Sequence, residues 1–143
     1  MKIRVLLVDD EKQFVDVLAE RLETRDFDVT IAYNGDEALE AVKSKPLDVV
    51  VLDVLMPGRD GIETLVEIKR MKPILEVIML TGNATVESAV EGMKIGAFDY
   101  LMKPTETKDL VGKIVMAYPR KAEQEERIRK AEIDRILSTK GWG

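Results

Sequence analysis

Short apolar runs alternate with helical patterns along this chain, and this alternation constrains its fold more than any other feature. The runs predict strands over residues 3–8, 28–32, 47–52, 77–80 and 98–101, and each is followed by apolar residues at helical spacing. Alternation of this kind predicts a parallel sheet with helices on both faces. Because crossovers are right-handed, we predict an α/β, flavodoxin-like (βα)5 doubly wound sheet with strand order 2-1-3-4-5.

Turn and capping residues mark the ends of the predicted helices. Asn34-Gly35-Asp36 starts the second helix, and Gly96 ends the fourth. Asp60 and Glu63 are typical of the start of the third. The residues expected to face the core are Phe14, Val17, Leu18 and Leu22; Ala38, Leu39 and Val42; Ile62, Leu65, Val66 and the stem of Lys69; Val86, Ala89, Val90 and Met93; and Leu110, Ile114 and Ala117.

The last part of the chain falls outside the five strand–helix units. We therefore predict one domain over 1–118 and a charged, helical C-terminal extension over 119–143. The extension has seven basic and five acidic residues, whereas the rest of the chain has 15 basic and 22 acidic ones. Its apolar stripe is weak. A solvated continuation of the fifth helix and a helix that packs on a partner or a second copy both remain open.

Composition excludes several kinds of chemistry. The chain has no cysteine and no histidine, so disulfides, thiol nucleophiles, imidazole bases and His/Cys zinc sites are excluded. A metal site must use oxygen ligands, which favours Mg²⁺, Ca²⁺ or Mn²⁺. The net charge of −5 argues against direct DNA binding. No apolar stretch is long enough to span a membrane, so we expect a soluble cytoplasmic protein.

Polar residues follow four of the predicted strands. Asp9, Asp10 and Glu11 follow the first, Asp53 the third, Thr81 the fourth and Lys103 the fifth. Ligands of open α/β sheets bind outside the carboxyl ends of the strands. We therefore expect these side chains to share one pocket.

The expected pocket suits phosphoryl transfer. Clustered carboxylates repel one another unless a cation such as Mg²⁺ binds them, and a bound metal would leave a position for a phosphoryl oxygen. Lys103 and the Thr81 hydroxyl could contact other phosphoryl oxygens, with Asp53 as the nucleophile. Each residue also has an ordinary structural interpretation. The acids could cap a helix or open a turn, Thr81 could simply end a strand, and Lys103 could be solvated.

Four motifs in sequence resemble the receiver domain of bacterial two-component response regulators, over about residues 2–118. They are Val8-Asp9-Asp10-Glu11; Leu52-Asp53 with Met56-Pro57-Gly58 and Asp60-Gly61; Leu80-Thr81-Gly82; and Gly96-Ala97-Phe98-Asp99-Tyr100-Leu101-Met102-Lys103-Pro104. The resemblance implies that Asp53 accepts a phosphoryl group from a phosphohistidine of a sensor histidine kinase or phosphotransfer protein.

The resemblance also implies roles for the neighbouring residues. Asp10, Asp53 and the backbone carbonyl of Leu55 would bind Mg²⁺ directly, and Asp9 mainly through water. Thr81 and Lys103 would bind the phosphoryl group. Thr81 and Tyr100 would form a switch that changes the face of helix 4, strand 5 and helix 5 toward a downstream protein effector or a homodimer partner. A cis peptide bond is expected before Pro104.

Three alternatives differ from this interpretation. An aspartyl phosphatase would use a similar nucleophile, but it needs a second Asp two residues later, where this chain has Leu55. A flavodoxin-like nucleotide binder would need a phosphate-binding glycine motif, which is absent. A pseudo-receiver would be an interaction module that is never phosphorylated. We expect no enzymatic turnover beyond self-phosphorylation and slow autodephosphorylation.

Overall fold

A computed structural model describes residues 2–55, 61–82 and 86–139 of the chain. Its strands and helices, in chain order, are β1 (Arg4–Val8), α1 (Lys12–Glu23), β2 (Asp28–Ala32), α2 (Gly35–Ser44), β3 (Val49–Leu52), α3 (Gly61–Met71), β4 (Glu76–Thr81), α4 (Val86–Ile95), β5 (Asp99–Met102) and α5 (Thr107–Thr139). All strand pairs are parallel, in the order β2-β1-β3-β4-β5. The predicted fold and strand order are confirmed.

The central strand β3 is apolar along its whole length because both of its faces are covered. On β3, Val49 and Val51 pack on one side of the sheet, and Val50 and Leu52 pack on the other. Helices α1 and α5 cover the first side, and α2, α3 and α4 cover the second. Continuous apolar runs are typical of parallel strands buried in this way.

Local sequence signals set several helix ends. The Asn34 side chain accepts a hydrogen bond of 2.8 Å from the Glu37 N–H, and the Glu37 carboxylate accepts one of 3.0 Å from the Tyr33 N–H. This arrangement caps the start of α2, as predicted. Gly96 follows α4 with a φ of 127°, a backbone conformation that glycine adopts at little cost.

The predicted buried faces of three helices are partly wrong. Val17, Val66, Val90 and Met93 are all more than 40% exposed. The buried face of α1 instead includes Val15 and Ala19, and that of α3 includes Thr64 and Ile68. On α4, an added Cβ at Gly92 would lie 2.2 Å from the Met79 sulfur, so the glycine permits a close approach that a periodic apolar pattern does not reveal.

Helix α5 runs without interruption from Thr107 to Thr139 and includes Pro119. The fifth helix was expected to end near 117, and the structure shows that the extension continues it. The boundary predicted between 118 and 119 therefore lies inside one helix. The predicted turn at Met56-Pro57-Gly58, the predicted cap at Asp60 and the extension's Trp142 lie outside the described residues.

In the described part of the chain, no helix combines the length and the apolar character needed to cross a membrane.

Candidate functional site

Asp53 stands directly after β3, at the carboxyl edge of the sheet. Its N–H donates to the Val8 carbonyl at 2.9 Å, so the backbone is held between β1 and β3. The side chain is only 4% exposed. The chain returns to this edge at Gly61, whose N–H donates to the Val54 carbonyl and whose added Cβ would lie 2.3 Å from the Val54 Cα. Glycine at 61 thus lets α3 start against the loop that carries Asp53.

Three carboxylates meet at this edge. Asp9, Asp10 and Asp53 each offer an oxygen, and these oxygens all lie within 4.8 Å of one another. Asp9 and Asp53 are buried, whereas Asp10 is exposed. A group of acidic oxygens that faces solvent on one side is the donor set that Mg²⁺ uses in proteins. The residues present therefore fit a hard divalent cation.

Lys103 brings a positive charge to the same carboxylates. Its Nζ lies 2.6 Å from Asp9 Oδ2 and 3.6 Å from Asp53 Oδ2, and its side chain is 12% exposed. The residue follows β5, where its N–H donates to the Thr81 carbonyl at 2.8 Å. The peptide bond between Lys103 and Pro104 is cis, as the resemblance implies.

Two further residues, Glu11 and Phe14, contact Lys103. The carboxylate of Glu11 lies 2.9 Å from the Lys103 Nζ, and the ring of Phe14 lies under the same ammonium at 4.4 Å. A cation over an aromatic face is attracted by the ring. Glu11 was expected in this pocket because it follows the acidic pair at the end of β1, whereas Phe14 was predicted only as a core residue.

Burial and neighbouring charges shift two pKa values in the site. Burial is the main reason that the pKa of Asp53 rises to about 6, and the charges of Asp9 and Asp10 add to this effect. The Leu55 N–H, which donates to Asp53 Oδ1 at 3.1 Å, and Lys103 oppose it. Burial lowers the pKa of Lys103, but its hydrogen bonds to Asp9 and Glu11 outweigh this, so the net shift is upward. The upward shift in pKa keeps the Lys103 ammonium charged at neutral pH.

Thr81 and Tyr100 lie on the two strands at one side of this edge. Thr81 ends β4 and is buried, and its strand partner on β5 is Met102. Tyr100 lies on β5 and is 42% exposed. It lines a groove of about 360 Å³ together with Ala89, Val90, Met93 and Lys94 of α4. The sequence-predicted site residues therefore fall on neighbouring strands, with Tyr100 facing the α4 side.

Comparison with known protein families shows the family to which this chain belongs. The model of the response regulator receiver domain family matches residues 5–115. The chain belongs to this family.

Solved receiver structures support this membership. A receiver domain protein from Methanospirillum hungatei JF-1 is 29% identical, with a TM-score of 0.83, over 87% of this chain and 99% of that one. A receiver domain protein from Clostridium thermocellum is 35% identical, with a TM-score of 0.81, over 85% and 98%. A response regulator from Burkholderia pseudomallei, solved with a phosphorylated aspartic acid, calcium ion and citrate, is 26% identical, with a TM-score of 0.76, over 99% and 88%.

Receiver domains generally bind Mg²⁺ through acidic residues, and this receiver domain has such a cluster in Asp9, Asp10 and Asp53. The assignment of individual ligands, including the Leu55 carbonyl, stays a prediction. So do the phosphoryl-binding roles of Thr81 and Lys103 and the switch role of Tyr100.

Proposed function

We propose that this receiver domain stores a signal as a phosphoryl group on Asp53, in a reaction that depends on Mg²⁺ or Mn²⁺. The observation that carries the proposal is the convergence of Asp9, Asp10 and Asp53 with Lys103 at one edge of the sheet. The phosphorylated aspartic acid of the similar Burkholderia structure supports it.

The residues of the site have distinct roles in this transfer. An Asp53 carboxylate oxygen attacks the phosphorus of a phosphohistidine, the new O–P bond forms as the P–N bond breaks, and the imidazole leaves with the electron pair. Asp10, Asp53 and the Leu55 carbonyl would hold the metal directly, and Asp9 would act through water. The bound metal supplies positive charge for the phosphoryl oxygens. Lys103 stabilises one such oxygen, and the Thr81 hydroxyl donates to another.

Lys103 must change partners during the reaction. Its ammonium is now held by Asp9 and Glu11 and lies 3.6 Å from Asp53. A phosphoryl group on Asp53 would bring anionic oxygens to this ammonium, and a bound metal would supply the positive charge that the acids now receive from Lys103. The lysine can therefore move toward the phosphoryl group without leaving a buried acid uncompensated.

Phosphorylation is signalled to a partner through a change in the surface formed by α4, β5 and α5. Thr81 moves toward the phosphoryl group, and Tyr100 turns from the groove on α4 toward the space that Thr81 leaves. This movement changes the face of α4, β5 and α5 that a downstream protein effector contacts. The donor is a sensor histidine kinase or a histidine phosphotransfer protein in the cytoplasm. The domain neither binds DNA directly nor turns over a substrate beyond its own acyl phosphate.

Incubation with acetyl phosphate and Mg²⁺, followed by intact-protein mass spectrometry, tests the proposal. We expect a mass gain of one phosphoryl group that disappears in Asp53→Asn and when EDTA removes the metal. The matched control is Asp28→Asn, an acid on β2 far from the edge, which should gain the group normally. No gain in the unsubstituted protein would contradict the proposal and leave the pseudo-receiver. Rapid steady hydrolysis of a phosphate ester would instead indicate an aspartyl phosphatase.

A further inference from the structure

The Phe14 ring lies where the hydrophobic core meets the cluster of acids at the carboxyl edge. It is partly buried against the core between the sheet and helices α1 and α5. The Lys103 ammonium lies 4.4 Å from the centre of the ring. Together with Asp9 and Asp53, Phe14 also lines a small cavity of about 10 Å³. The ring is therefore part of the wall of the site as well as part of the core.

The Lys103 ammonium is shared by three acids and this ring. Its Nζ lies 2.6 Å from an Asp9 oxygen, 2.9 Å from a Glu11 oxygen and 3.6 Å from an Asp53 oxygen. The side chain is 12% exposed, so little water surrounds it. The neighbouring side chains, rather than solvent, therefore determine where the ammonium lies.

An aromatic ring attracts an ammonium without adding negative charge to the site. Four acids already surround this position, namely Asp9, Asp10, Glu11 and Asp53. A further carboxylate in place of the ring would increase the repulsion among these acids and would repel an anionic phosphoryl donor. The ring instead attracts the ammonium and leaves its hydrogens free to bond to oxygens.

The attraction of the ring also extends further than a hydrogen bond. A cation interacts with an aromatic face out to about 6 Å from the ring centre, whereas N–H···O bonds are mostly shorter than about 3.2 Å. In the proposed transfer, Lys103 exchanges oxygens of Asp9 and Glu11 for a phosphoryl oxygen on Asp53. From its distance of 4.4 Å, the ring can stay in contact with the ammonium through this short movement.

We propose that Phe14 is a positioning residue for phosphoryl transfer. Its ring keeps the Lys103 ammonium beside Asp53 while the ammonium changes partners, a role that rests on the proposed function. The ring takes no part in the bond changes. An Asp53 oxygen bonds to phosphorus, the bond between phosphorus and the donor breaks, and the donor leaves with the electron pair. The alternative is that Phe14 only fills space in the core, which a leucine would also do.

Rates of mass gain from acetyl phosphate at saturating Mg²⁺ test this role. We expect Phe14→Leu to slow the gain by about threefold to tenfold, and Phe14→Tyr, which keeps the ring, to stay within about twofold of the unsubstituted protein. The matched control is Phe98→Leu, which removes a ring 5.9 Å from the Arg120 guanidinium and should not change the rate. Equal rates in Phe14→Leu and the unsubstituted protein would overturn the role of Phe14 and leave the proposed function intact.

A double substitution separates positioning from packing. In the Lys103→Met protein there is no ammonium for the ring to hold, so adding Phe14→Leu should slow the mass gain no further. An equal slowing with and without Lys103 would mean that the ring acts through packing of the core, and it would overturn the proposal.

The contact itself can be measured without a phosphodonor. Because protons above an aromatic face are shielded by the ring current, the ε-methylene protons of Lys103 should resonate upfield of those of other lysines, and Phe14→Leu should abolish this shift. A Lys103 resonance that is the same in both proteins would overturn the contact. No mass gain in the unsubstituted protein would overturn the proposed function and, with it, the role of Phe14.

Discussion

At the scale of single residues, Asp53 is a carboxylate that the fold keeps almost out of water. Its pKa rises to about 6, mainly through burial, whereas in the unfolded chain it is close to 3.8. The unfolded state therefore ionises first as the pH rises. The free energy of unfolding should fall between about pH 4 and pH 6, and the deficit persists at neutral pH.

Replacing Asp53 by Asn should remove this penalty. We expect Asp53→Asn to stabilise the metal-free protein by about 1–2 kcal/mol at neutral pH and to gain nothing near pH 4. Urea denaturation in EDTA at both pH values measures the difference. Asp28→Asn, at an exposed position, should stay within about 0.5 kcal/mol of the unsubstituted protein. A loss of stability in Asp53→Asn at neutral pH would contradict this account.

Lys103 should act on metal binding and on phosphorylation in opposite directions. Its ammonium contacts Asp9 and lies 3.6 Å from Asp53, so it competes with a cation for the same acids. We expect Lys103→Met to tighten Mg²⁺ binding several-fold, because a nearby positive charge is removed. The same change should slow phosphorylation by roughly tenfold or more, because a phosphoryl oxygen loses its counter-charge.

Calorimetric titration with Mg²⁺ and the rate of mass gain from acetyl phosphate measure these two effects separately. The matched control is Lys108→Met, since Lys108 is exposed at the start of α5 and pairs with Glu106. It should change neither quantity. Weaker Mg²⁺ binding in Lys103→Met would mean that the lysine positions the acids for the metal rather than competing with it.

At the scale of elements, the strands were easier to predict than the helix faces. Hydrophobic runs predicted β2 with its observed bounds and the other strands to within two residues. The same patterns misplaced Val17, Val66 and Val90, which are exposed. The side of a helix that packs on the sheet can include a small residue, which allows the helix to approach the sheet closely. Gly92 is such a residue, and it does not contribute to the apolar pattern from which the buried face was predicted.

The site was predictable in its chemistry but not in all its contacts. Strand ends placed Asp9, Asp53 and Lys103 on one edge because parallel strands share a direction, a constraint that follows from topology alone. The Phe14 ring under Lys103 depends instead on the rotation of α1. Sequence periodicity does not define that rotation to within one residue, so this contact could be seen only in the structure.

At the scale of the whole molecule, a charged network at the other edge of the sheet joins the domain to its extension. The Asp48 carboxylate is buried, and it accepts hydrogen bonds from the Arg4 side chain and, at 3.0 Å, from the Lys121 ammonium. Lys121 is itself 5% exposed and also contacts Glu125. Burial raises the pKa of Asp48, but the bonds from Arg4 and Lys121 outweigh this and lower it overall. The network crosses the boundary that the sequence predicted at 118.

Truncation on either side of this network should therefore have very different effects. A chain that ends at 118 loses Lys121 and leaves Asp48 with part of its positive charge missing, which should cost about 3 kcal/mol of unfolding free energy. A chain that ends at 125 keeps both Lys121 and Glu125 and should unfold within about 1 kcal/mol of the full chain. Urea denaturation of the two truncated chains and the full chain at neutral pH measures the difference. Equal stability would mean that the domain ends at 118 and that the buried lysine contributes nothing to it. A large difference would place the structural end of the domain between 118 and 125, up to about two helical turns further along α5.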